Sequence, residues 1–579
     1  MTQPSDPSVL SPAASHVRGD TRVPLIEQTL GDFFAGMAER HPCREALVSR
    51  HQELRYSYTY AELHAEVRRL AGALLGLGLQ KGDRVGIWSH NNAEWVLMQF
   101  ATAQVGLVLV NINPAYRTAE VEYALNKVGC KALVAMARFK TSDYLGMLRE
   151  LAPEWSQQSP GQLAARRLPH LRTVVWIDAP GQGGADEPGM LRFSQLLARG
   201  DAQDARIDEV AKTLDAQDPI NIQFTSGTTG FPKGATLTHR NILNNGFFIG
   251  ECMRLTPEDR LCIPVPLYHC FGMVLGNLAC VTHGSTIVYP SDGFDPLAVL
   301  ETVQAERCTG LHGVPTMFIA ELLHPRFAEF DLSTLRTGIM AGSPCPIEVM
   351  KRVVSDMHLE QITIAYGMTE TSPVSCQSST DTPLDKRVST VGLVQPHLEV
   401  RIIDPDSGEP VPRGRSGELC TRGYSVMHGY WGDPEKTGEA IDAEGWMHTG
   451  DLATMDAEGY VNIVGRIKDM VIRGGENIYP REIEEFLYRH PQVQDVQVVG
   501  VPDEKYGEEL CAWIIAKPGE QPTEDGIRAF CQGQIAHYKV PRHIRFVSEF
   551  PMTVTGKIQK FKIRDAMKEQ LGVTERATA

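Results

Sequence analysis

The sequence predicts an α/β protein. A large N-terminal domain of mixed and parallel sheets flanked by helices is followed by a small α+β C-terminal domain. Three observations lead there. At 579 residues the chain is too long for one hydrophobic core. From about Ala46 it alternates short apolar runs with amphipathic ones, the pattern of parallel strands with helices on both faces. From Arg466 onward the grain changes to short strands, a charged turn, a glycine loop and short helices, enough for a domain of about 110 residues.

Each element has its own signal. The opening "MTQPSDPSVLSPAASHVRGD" carries no basic-then-apolar leader and reads as a flexible tail over residues 1–25. Thr59 and Glu62 have capping-box spacing and start a helix that ends near Gly76 and Gly78. "DRVGIW" is a strand, a helix runs through Trp95 and Phe100, "GLVLVNI" is a strand, Thr118 starts a helix, and "CKALVA" is the next strand. The apolar run from Val96 to Ile112 is interrupted by Gln99, Thr102 and Gln104, so it predicts a buried helix running into a buried strand rather than a membrane span. The polar stretch from Pro153 to Pro169 predicts a surface insertion. "NIQF" predicts a strand and "NILNN" a helix, joined by a Gly/Thr loop. Near the end, Pro480 opens a helix, "VQDVQVVGV" and "LCAWIIAK" are strands, and Thr523 to Cys531 is helical.

Composition narrows the function classes. The chain has 56 Lys and Arg against 71 Asp and Glu, a formal net charge of −15. That disfavours nucleic acid and anionic membranes as partners. Twelve scattered cysteines without a C-x-x-C pair argue against a disulfide framework or structural zinc and point to the reducing cytoplasm.

The stretch "FTSGTTGFPKGATLTH", Phe224 to His239, combines glycines, hydroxyl residues and Lys233. Five residues after Gly227 stands Pro232, so it is not a Walker loop. The logic of anion binding persists: glycines let backbone N–H groups crowd an anion, hydroxyls add donors, and lysine adds charge.

Five stretches in order carry a family resemblance: "TSGTTGFPKG", "YGMTE" at Tyr366 to Glu370, "HTGD" at His448 to Asp451, "GRIKD" at Gly465 to Asp469 and "TGKIQK" at Thr555 to Lys560. Together they resemble the adenylate-forming superfamily of acyl-CoA synthetases, firefly-type luciferases and peptide-synthetase adenylation domains. Among these the chain is most similar to medium-chain fatty acyl-CoA ligases. The resemblance covers nearly the whole chain beyond the tail. It implies an N-terminal ATP- and acyl-binding domain over 26–466 and a mobile C-terminal domain over 467–579, with a hinge near Lys468.

The resemblance also implies a reaction. A carboxylate attacks the α-phosphate of ATP to give acyl-AMP and pyrophosphate, and CoA then displaces AMP. Thr225, Ser226, Gly227, Thr228, Thr229 and Gly230, with Lys233, would gather the phosphates. Glu370 would hold Mg²⁺ and Thr369 would donate to the α-phosphate. Tyr366 and the segment Ala341, Gly342, Ser343 and Pro344 would flank adenine. This segment reads "AGSPCP" and departs from the family's form. Asp451 would take the ribose hydroxyls, and Arg466 would reach the same ribose or the phosphates. Lys557 would bridge the attacking carboxylate and the α-phosphate. Gly475 in "RGGEN" would line the CoA channel in the second step, so the small domain must rotate about Lys468.

For the acid, Arg260 to Ser291 contains no Asp or Glu, so an amino-acid ammonium would lack its partner. His269 resembles the family's gating histidine. Phe271, Met273, Val274, Val314 and Gly342 are candidates for an apolar acyl pocket, with Met273 and Val274 equally readable as core. The expected partners are a small carboxylic acid, ATP and CoA, and a homodimer is compatible with the resemblance. Two alternatives stay open: an aryl-CoA ligase of the 4-coumarate type, and an acyl-AMP ligase that loads a carrier protein.

Overall fold

Thr59 and Glu62 cap each other as their spacing predicts. Glu62 N donates to Thr59 Oγ1 at 3.2 Å, and Thr59 N donates to Glu62 Oε2 at 2.8 Å. The helix Tyr60–Gly76 that follows buries Leu63, Val67, Leu70 and Leu74, the stripe that helical periodicity places on one face. The structure is a computed structural model that describes residues 14–52, 56–178, 187–225, 232–343, 345–473, 476–503, 505–553 and 556–572.

An eight-stranded sheet follows the order Leu191–Arg192, Thr173–Ile177, Ala132–Met136, Arg84–Trp88, Val108–Asn111, Pro219–Thr225, Lys233–Thr238, Gly429–Tyr430. Its first six strands are parallel neighbours and the last two pair antiparallel. Both faces are covered: Val85 and Ile87 enter one core cluster, whereas Trp88, Val108 and Val110 enter another. Burial on both faces explains the nearly continuous apolar runs. A nine-stranded sheet runs from Leu393–Val394 to Tyr56–Thr59, parallel inside and antiparallel at its ends. One cluster joins the helices Leu30–Arg40, Tyr60–Gly76, Ala93–Gln104 and His239–Met253 to one face of each sheet. The helices therefore form a shared layer between the two sheets.

A five-stranded antiparallel sheet comprises His16–Arg18, Leu398–Ile403, Gly417–Gly423, Met447–Met455 and Val461–Arg466. The strands from Val471–Arg473 to His543–Phe546 make a separate sheet. Helices Pro480–Leu487 and Glu524–Cys531 cover one of its faces and Lys560–Leu571 the other. Sheet membership thus changes across Ile467–Asp469, the short 3₁₀ turn that contains Lys468.

Three expectations need correction. The segment expected as tail is structured in its described part: His16–Arg18 pairs with Leu398–Ile403, and Ser15 N donates to Val411 O at 2.8 Å. The stretch Pro153 to Pro169 is pinned by Trp155, Leu163 and Leu168, all buried; three apolar anchors suffice to seat a polar segment. The Gly/Thr loop does not lead straight into a helix. Lys233–Thr238 intervenes as a strand antiparallel to Pro219–Thr225, its Gly, Ala and Thr residues filling the narrow space beside Gly429–Tyr430.

Candidate active site

Thr225 ends its strand directly opposite Lys233. Its hydroxyl donates to Glu370 Oε1 at 2.9 Å, and the Tyr430 hydroxyl donates to the same oxygen at 2.9 Å. Glu370 lies in the 3₁₀ turn Thr369–Thr371, is 5% exposed, and has no ion-pair partner among the described residues. The Lys233 ammonium stands 4.2 Å from the centre of the Tyr430 ring. Tyr430 carries no signal in the sequence, because a two-residue strand from far along the chain brings it here.

A second group forms where the five-stranded sheet ends. Asp451 Oδ2 accepts from the Tyr366 hydroxyl at 2.7 Å, and Asp451 Oδ1 accepts from Arg466 Nε at 3.0 Å. Asp451 and Arg466 are register partners on Met447–Met455 and Val461–Arg466, so strand pairing alone sets the carboxylate against the guanidinium. Burial first, and the Asp451 charge second, push the Tyr366 hydroxyl well above its ordinary range, which keeps it a donor.

Lys557 comes from the other side of the Lys468 turn and joins both groups. The residue keeps solvent contact, yet surrounding protein crowds it enough that desolvation lowers its pKa. Arg466 lowers it further, while Asp451, Glu370 and Asp469 oppose the shift. Gly556 makes the approach feasible. Its φ is 76°, and a Cβ there would stand 2.9 Å from Val314 Cγ2 and 3.1 Å from Thr316 Oγ1. The Thr316 hydroxyl donates to Gly556 O at 3.5 Å.

His269 lies next to this point. Burial first, then the Lys557 charge, push it down to about 4, so its ring is neutral near pH 7. Its Nδ1 accepts from Phe271 N at 3.1 Å, which leaves the proton on Nε2. Phe271–Leu278 is a π-helix, the kind of irregular turn that concentrates at functional sites. Its wide turns leave carbonyls to satisfy. Gln99 Nε2 donates to Met273 O at 3.2 Å, and Asn111 Nδ2 donates to Tyr268 O at 2.9 Å. The polar residue that interrupts the apolar run at position 99 is thus a partner for this turn.

The structure brings Thr225, Lys233, Thr369, Glu370, Tyr366, Asp451, Arg466, His269 and Lys557 to one cleft between the domains. Gly342, with φ 91°, abuts Val314, and Ser343 follows it. Phe271, Met273, Val274 and Val314 are buried in the large shared core, where Met273 Sδ accepts from Gln223 Nε2 at 3.1 Å. Ser226, Gly227, Thr228, Thr229, Gly230, Pro344 and Gly475 lie outside the described residues.

Chemically, the site offers a buried carboxylate with hydroxyl donors, a second carboxylate held by Tyr366 and Arg466, and the Lys557 ammonium. The comparisons with known proteins give the family. The model of the AMP-binding enzyme family matches residues 34–431, and that of the AMP-binding enzyme C-terminal domain matches residues 482–557. The protein YngI of Bacillus subtilis (strain 168) is 50% identical over 552 residues, spanning 95% of this chain and 99% of its own. A human protein named medium-chain acyl-CoA ligase ACSF2, mitochondrial, is 47% identical over 566 residues, covering 96% of this chain and 91% of its own. Among solved structures, the anthranilate CoA ligase AuaEII in complex with anthranoyl-AMP superposes with a TM-score of 0.83 at 26% identity, covering 96% of this chain and 99% of its own. On the motifs, the cleft and these matches, the chain belongs to the AMP-binding enzyme family, among its adenylate-forming acyl-CoA synthetases.

Proposed function

We propose that this chain activates a medium-chain fatty acid, forming acyl-AMP and pyrophosphate from ATP and then the CoA thioester. The observation that carries the reading is the docking of the Lys557 loop on Val314 and Thr316 across the domain boundary, which brings its ammonium within electrostatic reach of Arg466, Asp451, Glu370 and His269. An ammonium there neutralises the repulsion between an attacking carboxylate and the α-phosphate and holds them in line. Thr369 donates to the same phosphate. Thr225, Lys233 and the loop between them gather the β- and γ-phosphates. Tyr366 lies against adenine, and Asp451 and Arg466 hold the ribose.

Glu370 suits Mg²⁺, since a buried carboxylate without an ion-pair partner answers a cation that takes its remaining oxygens from phosphates and water. When bound, that ion shields the triphosphate charge. The neutral ring of His269 can turn without shedding a proton, which suits a gate between the acyl pocket and the CoA channel. For the second step the small domain pivots at Lys468, withdraws Lys557 and presents the Gly475 loop to the pantetheine arm.

Two observations favour a fatty acid. The segment Arg260 to Ser291 lacks acidic residues, and the chain around His269 is apolar, with Phe271, Val274 and Val314 buried in the core. The ACSF2 relatives carry the name medium-chain acyl-CoA ligase. An aryl acid is the second reading, favoured by the likeness to the anthranilate CoA ligase. Pyrophosphate release over straight-chain acids of increasing length and a few aryl acids, with and without CoA, tests the proposal. A maximum at medium chain length with CoA-dependent AMP release is expected; a maximum on aryl acids contradicts it. All twelve cysteines are unpaired, which supports a reducing compartment such as the cytoplasm.

A further inference from the structure

Glu418, Cys420 and His448 have no part in the chemistry above, yet their ligand atoms all lie within 4.8 Å of one another. Cys420 and His448 are register partners on Gly417–Gly423 and Met447–Met455. Glu418 shares a face with Cys420, two residues away along its strand. On the partner strand a register shift puts extra residues between His448 and Leu452, the partner of Glu418. The result is convergent: His448 Nδ1 lies 3.0 Å from Glu418 Oε2 and 3.6 Å from Cys420 Sγ.

The two separations from His448 Nδ1 are close to those of a tetrahedral ion. With bonds of about 2.0–2.1 Å to nitrogen and oxygen and about 2.3 Å to sulfur, ligand atoms stand roughly 3.3–3.6 Å apart. The N–S distance already agrees, and the N–O distance needs a shift of a few tenths of an ångström. The surroundings hold the ligands in place. Asp442 Oδ2 lies 3.7 Å from His448 Nε2, on the far side of the ring, where a carboxylate commonly orients a metal-binding imidazole. Glu418 Oε1 accepts from Gly450 N at 3.0 Å, leaving Oε2 for the ion. The Cys420 side is sealed, whereas His448 is partly exposed and gives an ion a way in.

We infer that Glu418 Oε2, Cys420 Sγ and His448 Nδ1 form a binding site for a zinc-class divalent cation. A thiolate, an imidazole and a carboxylate together select zinc or a similar borderline-soft ion, and reject magnesium, which takes oxygen. Three protein ligands leave the fourth position to water or a small anion. Binding releases the thiol proton, and any proton on Nδ1, to the buffer. Because Glu418 also holds Gly450 N, the ion would brace the turn that leads into Asp451, linking this site to the nucleotide.

Cobalt(II) is the probe. The full chain, freed of metal by chelator dialysis, is titrated with Co²⁺ without nucleotide, and the thiolate charge-transfer band is followed in the near ultraviolet. The band should saturate at one equivalent per chain, be displaced by Zn²⁺ but not by excess Mg²⁺, persist in Cys43→Ser, and vanish in both Cys420→Ser and His448→Gln. Cys43 is the control because its thiol is exposed. Cys420→Ser should keep its far-ultraviolet circular dichroism and its acid-activating rate within about twofold. A titration of the unaltered chain without a saturable band overturns the inference outright, whatever the variants do. So does a band that survives Cys420→Ser.

Discussion

Glu370 illustrates how a single residue is prepared for its task. Two hydroxyls, from Thr225 and Tyr430, donate to one of its oxygens, which fixes the carboxylate while leaving its charge unpaired. Tyr430→Phe removes one hydrogen bond to a charged group, worth about 1.5–3 kcal/mol, and keeps the ring beneath Lys233. Pyrophosphate-release assays should show kcat/KM for ATP reduced about 10- to 100-fold, with the unfolding midpoint little changed. The histidines give a second residue-level expectation. Burial pushes His51, His239, His269 and His312 each down to about 4. Between about pH 6.5 and 4 the unfolded chain therefore binds protons that the folded chain refuses, so stability falls as pH drops through that window. Each histidine contributes a slope of about 1.4 kcal/mol per pH unit at most. Denaturant midpoints should decline between about pH 7 and pH 5, and His312→Gln should flatten that decline.

At the level of elements, much is legible in the amino-acid sequence alone. The capping box at Thr59, the strand "DRVGIW", the helix after Pro480 and the strand pair near the end all fall where local pattern places them. The misses share a cause: non-local pairing. Nothing in "HVR" announces an edge strand, because its partner is almost 400 residues away. Lys233–Thr238 is hidden because Gly, Ala and Thr read as loop until Gly429–Tyr430 is beside them. For the candidate site, motif residues are legible, whereas Tyr430 and Glu418 are not, since each acts on a partner distant in sequence. The loop before Lys557 belongs to this scale too. Gly556→Ala puts a Cβ 2.9 Å from Val314 Cγ2 at a positive φ, a strain of about 1–3 kcal/mol. The clash with Val314 exists only while the loop is docked, whereas the positive-φ cost stays with the turn. Acyl-AMP formation should fall about 5- to 100-fold, and thioester formation from supplied acyl-AMP should stay within about twofold.

For the whole molecule, Glu370 and Asp451 stand on the N-terminal side of the Ile467–Asp469 turn and Lys557 on the C-terminal side. This 3₁₀ turn is the short link between the sheets of the two domains. Under the proposed function, that division would let one site serve two reactions, with Lys557 needed for the first and making room for the second. No helix among the described residues is long and apolar enough to cross a membrane. The most direct measurement is the pair of half-reactions in Lys557→Ala. Acyl-AMP formation should fall by about 10²- to 10³-fold or more, the loss expected for one aimed charge. CoA thioester formation from supplied acyl-AMP should remain within about twofold of the unaltered chain. Equal loss in both half-reactions, or adenylation that survives the substitution, would contradict the account.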